Sequence, residues 1–168
     1  MAREFRIRQT TAEDVPLLFG LIQGLAEYER LLEHVTATEE SLRAHLFGAR
    51  PAAEAVLAEE GSEAIGFALF FNNFSTFAGK PGLYLEDLFV RPEFRGRGYG
   101  KALMVFVARL ALARGCGRFE WSVLDWNTPA RDFYRTLGAR PLDDWVGQRM
   151  TGEAIARLAA RPLPGERK

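Results

Sequence analysis

One stretch limits the fold more than any other: Tyr84-Leu85-Glu86-Asp87-Leu88-Phe89-Val90-Arg91-Pro92-Glu93-Phe94-Arg95-Gly96-Arg97-Gly98-Tyr99-Gly100-Lys101. Leu85, Leu88, Phe89 and Val90 are apolar and β-prone, so it begins as a strand. Pro92 ends that strand, because proline has no N–H to give to a ladder. Glycines follow at 96, 98 and 100, and an apolar helix pattern starts at once with Ala102, Leu103, Val105, Phe106, Ala108 and Leu110. A strand, a glycine-rich turn and a helix N-terminus together form an anion site. Glycine lets backbone N–H groups approach closely, and the first amides of the helix point outward with the positive end of its dipole. Arg95, Arg97 and Lys101 add positive charge. A diphosphate suits this arrangement; the plainer alternative is a glycine-rich connection kept soluble by basic residues.

Two common phosphate loops are excluded by spacing. Gly96 and Gly100 lie four apart where the nucleotide-hydrolysing P-loop needs five, and Ala102 stands where that loop has a magnesium-binding hydroxyl. The dinucleotide fingerprint fails because the third glycine comes one residue early. What remains, Arg-Gly-x-Gly-x-Gly after a strand ending in Val-Arg-Pro, resembles the pyrophosphate loop of the GNAT N-acetyltransferases, which bind acetyl-coenzyme A.

The chain of 168 residues suits one domain, burying roughly 70% of the surface its unfolded form exposes. A hydrophobic fraction of 48% excludes wholesale disorder, and a formal net charge of zero lacks the electrostatic footprint of a nucleic-acid binder. The single cysteine, Cys116, cannot form an internal disulfide and fits a reducing compartment. The N-terminus carries no apolar signal region, and Arg109 and Arg114 interrupt the longest candidate membrane span. The expectation is a cytoplasmic protein with no membrane and no nucleic-acid partner.

In chain order, Phe5 and Ile7 alternate with polar residues as a first strand. Thr11-Ala-Glu-Asp14 with Pro16 reads as the start of a helix running to about residue 31. Thr38-Glu-Glu opens a second helix, and Gly61-Ser62 joins two strands, Ala55–Ala58 and Glu63–Phe71, in a hairpin. Residues 74–82 read as a loop. The long helix ends near Gly115, and Phe119 to Leu124 forms a further strand. Asn127 caps another helix, with Pro129 in its first turn and Gly138 just past its end. Asp143-Asp144-Trp145 makes a turn before a last strand, Val146 to Met150. Thr151 then caps a small helix carrying Ile155 and Leu158, and residues 161–168 form a disordered tail. The pattern is a single α/β domain over residues 1–160, with a mixed, mostly antiparallel sheet and helices on both faces.

The resemblance sharpens when distant motifs are joined. Tyr84-Leu-Glu-Asp, the Arg95–Lys101 loop, and Trp126-Asn127-x-Pro-Ala130-x-x-Phe133-Tyr134-x-x-x-Gly138-Ala139 together look like the spermidine/spermine (diamine) and thialysine subgroup of the GNAT acetyltransferases. Ile7-Arg8, Leu25-Ala-x-Tyr28-Glu29 and Ile65-Gly-Phe-Ala extend the likeness over most of the chain, in order and spacing. The resemblance implies that the backbone of Leu88, Phe89 and Val90 pairs with the pantetheine arm. It implies that Arg95, Gly96, Arg97, Gly98, Tyr99, Gly100 and Lys101 hold the pyrophosphate, and that Asn127, Thr128, Pro129 and Ala130 contact the coenzyme. Tyr134 would be the general acid at the thioester sulfur. Glu86 would receive the amine proton, directly or through water, while Tyr28, Glu29, Asp87 and Asp144 would surround a cationic substrate. A homodimer is implied, and no metal.

These residue types fit the chemistry. An alkyl ammonium has a pKa near 10.4, so only about one part in a thousand is free amine at pH 7.5, and a carboxylate that takes its proton is useful. A tyrosine can hand a proton to a departing thiolate. Each assignment has a plainer reading: Tyr134 as a packed aromatic, Glu86 as a surface strand residue, Glu29 as a solvated helix charge. His34 and His45 lie outside every motif, Cys116 reads as a small buried residue, and Trp121 and Trp126 read as core or cleft walls. One departure concerns Arg30, where diamine members often place an aromatic. A guanidinium there opposes a polyamine if it points inward, and suits instead the carboxylate of lysine or a thialysine-like amino acid. The reading is therefore transfer of acetyl to a primary amine of a small cation, a polyamine or a lysine-like amino acid. The alternatives are a peptide or protein N-acetyltransferase and a non-catalytic acyl-coenzyme A sensor.

Overall fold

The computed structural model describes residues 4–165 and divides into two compact units, Met1–Ser122 and Val123–Lys168. The first is built on one five-stranded sheet whose strands lie side by side in chain order. The antiparallel strands are β1 (Phe5–Gln9), β2 (Glu54–Glu60), β3 (Glu63–Ser75) and β4 (Lys80–Val90); β5 (Arg118–Trp121) lies parallel to β4. Helices α1 (Val15–Tyr28) and α2 (Glu39–Phe47) fall between β1 and β2, and α3 (Tyr99–Ala113) crosses from β4 to β5. A mixed, mostly antiparallel α/β sheet is what the patterning predicts.

The two faces of the sheet follow from the period-two alternation of its strands. Leu57, Phe67, Leu69 and Phe89 pack with Leu18, Leu21 and Leu25 of α1 and Leu46 of α2 in one apolar cluster. The alternate positions, Val56, Ala58, Ala68, Phe70 and Leu85, are buried on the opposite face, where α3 contributes Leu103, Met104, Val107 and Ala111. Gly24 sets how closely α1 approaches β4, since a Cβ there would lie 3.2 Å from the Phe89 ring. At the start of α1, Asp14 accepts the Thr11 amide at 2.7 Å and both outer nitrogens of Arg8 at 2.7 Å. Arg8 also reaches Glu59 of β2, so the β1–α1 connection is tied to the sheet.

A register shift in β4 orients the acids nearest the anion loop. Leu69 of β3 faces Asp87 and Phe70 faces Leu85, which leaves Glu86 with no partner opposite it. This is a β-bulge, an extra residue that re-aims its neighbours. Without it, Leu85 and Asp87 would share a face. With it, Leu85 turns with Phe70 toward the α3 side and Asp87 turns with Leu69 toward α1.

The second unit carries α4 (Thr128–Thr136) and α5 (Glu153–Ala159). Asn127 caps α4, its side-chain oxygen accepting the Ala130 amide at 3.3 Å, and Pro129 sits in the first turn. Gly138, at φ 89°, follows the last helical turn as a left-handed residue that glycine adopts without strain.

Several predicted boundaries are corrected. Residues 74–82 are not a loop: Phe74 pairs with Pro81 and Ser75 with Lys80, so the turn spans only four residues. Gly79 lies in that tight hairpin tip, while Pro81 and Gly82 already belong to β4. Helix α1 ends at Tyr28, because Arg30 takes φ 61°, outside the helical region. Strand β5 stops at Trp121. Residues 146–150 form no strand, and Val146 and Met150 are exposed rather than laid against a ladder partner. Gly152, not Thr151, occupies the cap position of α5. Of the predicted tail, residues 166–168 lie outside the described residues.

Candidate active site

In the first unit the anion loop forms as its sequence predicts. Pro92–Phe94 makes a single 3-10 turn after β4, Gly96 and Gly98 take φ 76° and 85°, and α3 begins at Tyr99. Nothing lies within 4 Å of a Cβ built on either glycine, so the left-handed backbone, not crowding, requires them. The first amide bonded within the helix is that of Ala102, to the Gly98 carbonyl at 2.9 Å. The amides of Tyr99, Gly100 and Lys101 precede it and remain to bind a ligand's oxygens. Lys101 is exposed on this first turn.

Arg95 is turned away from that turn. Its Nε donates to the Val90 carbonyl at 2.9 Å, and its guanidinium lies 4.3 Å from the centre of the Tyr28 ring and 5.6 Å from that of Phe89. Arg97 leans on Glu60, its Nη1 standing 3.4 and 3.3 Å from the two carboxylate oxygens. The Tyr99 hydroxyl donates to the same carboxylate, and its ring stacks on Phe5 at 4.6 Å.

Between the loop and the bulge, β4 has an unclaimed edge. Strand β5 pairs with it only from Gly82 to Leu85, so residues 87–90 have β3 on one side and, among the described residues, no strand paired on the other. The Phe89 carbonyl faces β3 so closely that a Cβ on Gly66 would lie 2.4 Å from it. The Val90 carbonyl, held by Arg95, points the other way, and alternation puts the amide and carbonyl of Leu88 on the same side. Leu88 and Val90 can therefore pair with an extended ligand, whereas the backbone of Phe89 serves the sheet.

Beside this edge stand three carboxylates. Glu86 is the exposed bulge residue, and Asp87 is half-buried on the α1 side with Glu29, which follows the last residue of α1. Burial, reinforced by the charges of Glu86 and Glu29, pushes the Asp87 carboxyl up to about 7. Burial also raises Glu29. A carboxyl in that range can both take and return a proton near neutral pH, and a cation entering among these acids would favour their ionised forms. Tyr28 adds an aromatic wall, and Arg30 adjoins Glu29 in its left-handed conformation. The bulge gives no signal in the sequence; Glu60 belongs to no motif and would have been found only from its pairing with Phe5.

In the second unit, Asn127, Ala130 and Tyr134 fall at i, i+3 and i+7, on one face of α4. Asn127 is buried, Tyr134 is half-buried with its ring 5.3 Å from that of Phe133, and Thr128 and Pro129 are exposed in the first turn. Asp144 lies exposed in the turn after α4. Of the remaining candidates, His34 and His45 are exposed, Cys116 and Trp121 are half-buried, and Trp126 is exposed. Among the described residues no group of three or more His, Cys, Asp and Glu is arranged to hold a metal, and no helix is long and apolar enough to cross a membrane.

Residues 22–139 match the acetyltransferase (GNAT) family. Thialysine N-epsilon-acetyltransferase of Sus scrofa is 40% identical over 166 residues, covering 92% of this chain and 97% of the relative. L-ornithine N5-acetyltransferase of Arabidopsis thaliana is 33% identical, covering 91% of this chain and 87% of its own. Among solved structures, an integron cassette protein from the mobile metagenome of V. cholerae superimposes with a TM-score of 0.79 at 25% identity, over 94% of this chain and 98% of that one.

Proposed function

Because the chain belongs to the acetyltransferase (GNAT) family it is an acetyltransferase, and we propose that it acetylates the side-chain amine of a small cationic amino acid of the lysine, thialysine or ornithine kind. Acetyl-coenzyme A is the donor in this reading. The observation that carries it is the meeting of Glu29, Glu86 and Asp87 beside the unclaimed edge of β4, one strand-length from the anion loop. The names of the relatives favour an amino acid, and a guanidinium at Arg30 would answer an amino-acid carboxylate. A polyamine is the second reading, favoured by the same acids.

The diphosphate would lie on the amides of residues 96–101, with Arg97 and Lys101 beside it. The pantetheine amides would extend the sheet along Leu88 and Val90, displacing Arg95 from the Val90 carbonyl. Asn127, Thr128, Pro129 and Ala130 would contact the coenzyme from α4. Glu86 takes the ammonium proton, directly or through water, and the perturbed Asp87 is the neighbouring group able to accept it. The free amine attacks the thioester carbonyl in a ternary complex, and the Tyr134 hydroxyl protonates the departing thiolate. Tyr28 and Glu29 would contact the substrate in this reading, and Asp144 is proposed as a further contact. No acetyl-enzyme and no metal enters this scheme. A cytoplasmic homodimer organised as one domain over residues 1–160 completes the proposal.

The test is thiol release from acetyl-coenzyme A over a panel of thialysine, lysine, ornithine, putrescine, spermidine, an aminoglycoside and a lysine peptide. Turnover greatest on the amino acids is expected. Preference for polyamines would overturn the amino-acid reading and place Arg30 outside the pocket. Turnover on the peptide alone would make the chain a peptide or protein acetyltransferase. Coenzyme binding without turnover on any amine would leave an acyl-coenzyme A sensor.

A further inference from the structure

The anion loop is fastened from a strand that carries none of the site's motifs. We propose that Glu60, the last residue of β2, is a positioning residue for the coenzyme's diphosphate, fixing the first turn of α3 through Tyr99 and keeping Arg97 at hand beside it. This rests on acetyl-coenzyme A being the donor. Phe5 and Glu60 face each other in the β1–β2 ladder. Tyr99 lies across that pair: its ring stacks on Phe5 at 4.6 Å and 15°, and its hydroxyl donates to Glu60 Oε1. Both ends of one side chain are thus held by one cross-strand pair.

Tyr99 is also the first residue of α3, and its amide is one of the three that precede the helix's own bonds. Gly96 and Gly98 permit the loop its left-handed turns, but glycine's backbone freedom does not hold it there. Holding comes from outside the loop, and the Glu60–Tyr99 bond supplies it. The geometry of Arg97 differs. Its 3.3 Å and 3.4 Å approaches to Glu60 are longer than the 2.7 Å contacts of the Arg8–Asp14 pair, and 52% of its side chain is exposed. Arg97, whose guanidinium also lies 5.3 Å from the centre of the Phe94 ring, makes with Glu60 a loose pair that a phosphate's charge can replace.

The experiment measures coenzyme A binding by calorimetry and steady-state kinetics for the wild type, Glu60→Ala, Glu60→Gln, Tyr99→Phe and the double variant Glu60→Ala/Tyr99→Phe. Glu60→Ala is expected to weaken coenzyme A and raise KM for acetyl-coenzyme A about tenfold, the effect of one lost bond to a charged group, with kcat and the amine KM within about twofold. Tyr99→Phe keeps the stacking and should reproduce most of that loss. The double variant should be no worse than the poorer single one, because both remove the same bond. Glu60→Gln, which retains an oxygen for the Tyr99 hydroxyl, should recover most of the affinity. Unchanged coenzyme binding in Glu60→Ala, or additive losses in the double variant, would overturn the proposal. If Glu60→Ala does not fold, equal affinity of Tyr99→Phe and wild type would overturn it instead. Absence of coenzyme binding by the wild type is a separate outcome, and it would remove the coenzyme reading itself.

Discussion

Replacing Asp87 with asparagine should stabilise the empty protein at pH 8 and leave it nearly unchanged at pH 4. Asp87 ionises near 3.8 when unperturbed and is raised to about 7 in the fold, first by burial and then by Glu86 and Glu29. Well below pH 3.8 the group is protonated both folded and unfolded, so its state contributes nothing to the difference, and at pH 4 it contributes only about half a kcal/mol. As pH rises from about 4 to 7, the unfolded chain releases the proton while the fold retains it, and stability falls. Above pH 7 the fold carries the full cost of a carboxylate held among carboxylates. Three pKa units correspond to a ceiling of about 4 kcal/mol. Asparagine keeps the size of the side chain and removes the charge, so it should recover that difference. For a chain of this length each kcal/mol moves the melting temperature by about 2–4 °C, giving a shift on the order of 10 °C at pH 8. Thermal melts of both proteins from pH 4 to 9, without substrate, make the comparison. The curves should nearly coincide at pH 4, separate up to about 7 and then run parallel. A gap independent of pH would refute the reasoning, since it would trace to packing rather than ionisation.

Tyr134→Phe should lower kcat by ~10²-fold while acetyl-coenzyme A affinity stays within about threefold, and unchanged turnover would remove the hydroxyl from the chemistry. Glu86→Gln should cost most at neutral pH and less at high pH, where free amine is abundant; a deficit independent of pH in the rate profile would assign Glu86 to positioning. Asp14, held at about 2 by Arg8, contributes stability that is present above about pH 4 and lost as pH falls toward 2. Asp14→Asn should therefore cost about 1–2 kcal/mol in urea unfolding at pH 7 and little near pH 2.

The strand, glycine turn and α3 were legible because their signals are local: Pro92 stops a strand, and the left-handed turns at 96 and 98 need glycine. Asn127 was legible for the same reason, as a cap that bonds three residues ahead. The bulge at Glu86 was not. No glycine or proline marks it, and it exists only in the register between β3 and β4, which the residues of β4 do not encode alone. It decides which way Asp87 faces, so the most perturbed acid of the site was named from the sequence without its special environment. Glu60 escaped because its relation to Tyr99 runs through pairing with Phe5, 55 positions earlier in the chain. The misread loop at 74–82 shows the reverse error: its glycine and proline suggested a loop, but hairpin pairing of Phe74 with Pro81 and Ser75 with Lys80 carries the strands to within four residues of each other.

The bare edge of β4 also bears on how the protein behaves at high concentration. A strand edge with unmatched amides is a template for any extended segment, a second copy of the same strand included, and soluble proteins guard such edges with charge. Arg95 stands guard here, its Nε on the Val90 carbonyl and its guanidinium over Tyr28. If the coenzyme adds to this edge as proposed, the form without it is the one exposed to self-association, with Arg95 screening the row. Solutions of the empty protein should keep better with coenzyme A added than without it, and light scattering over days would register the difference.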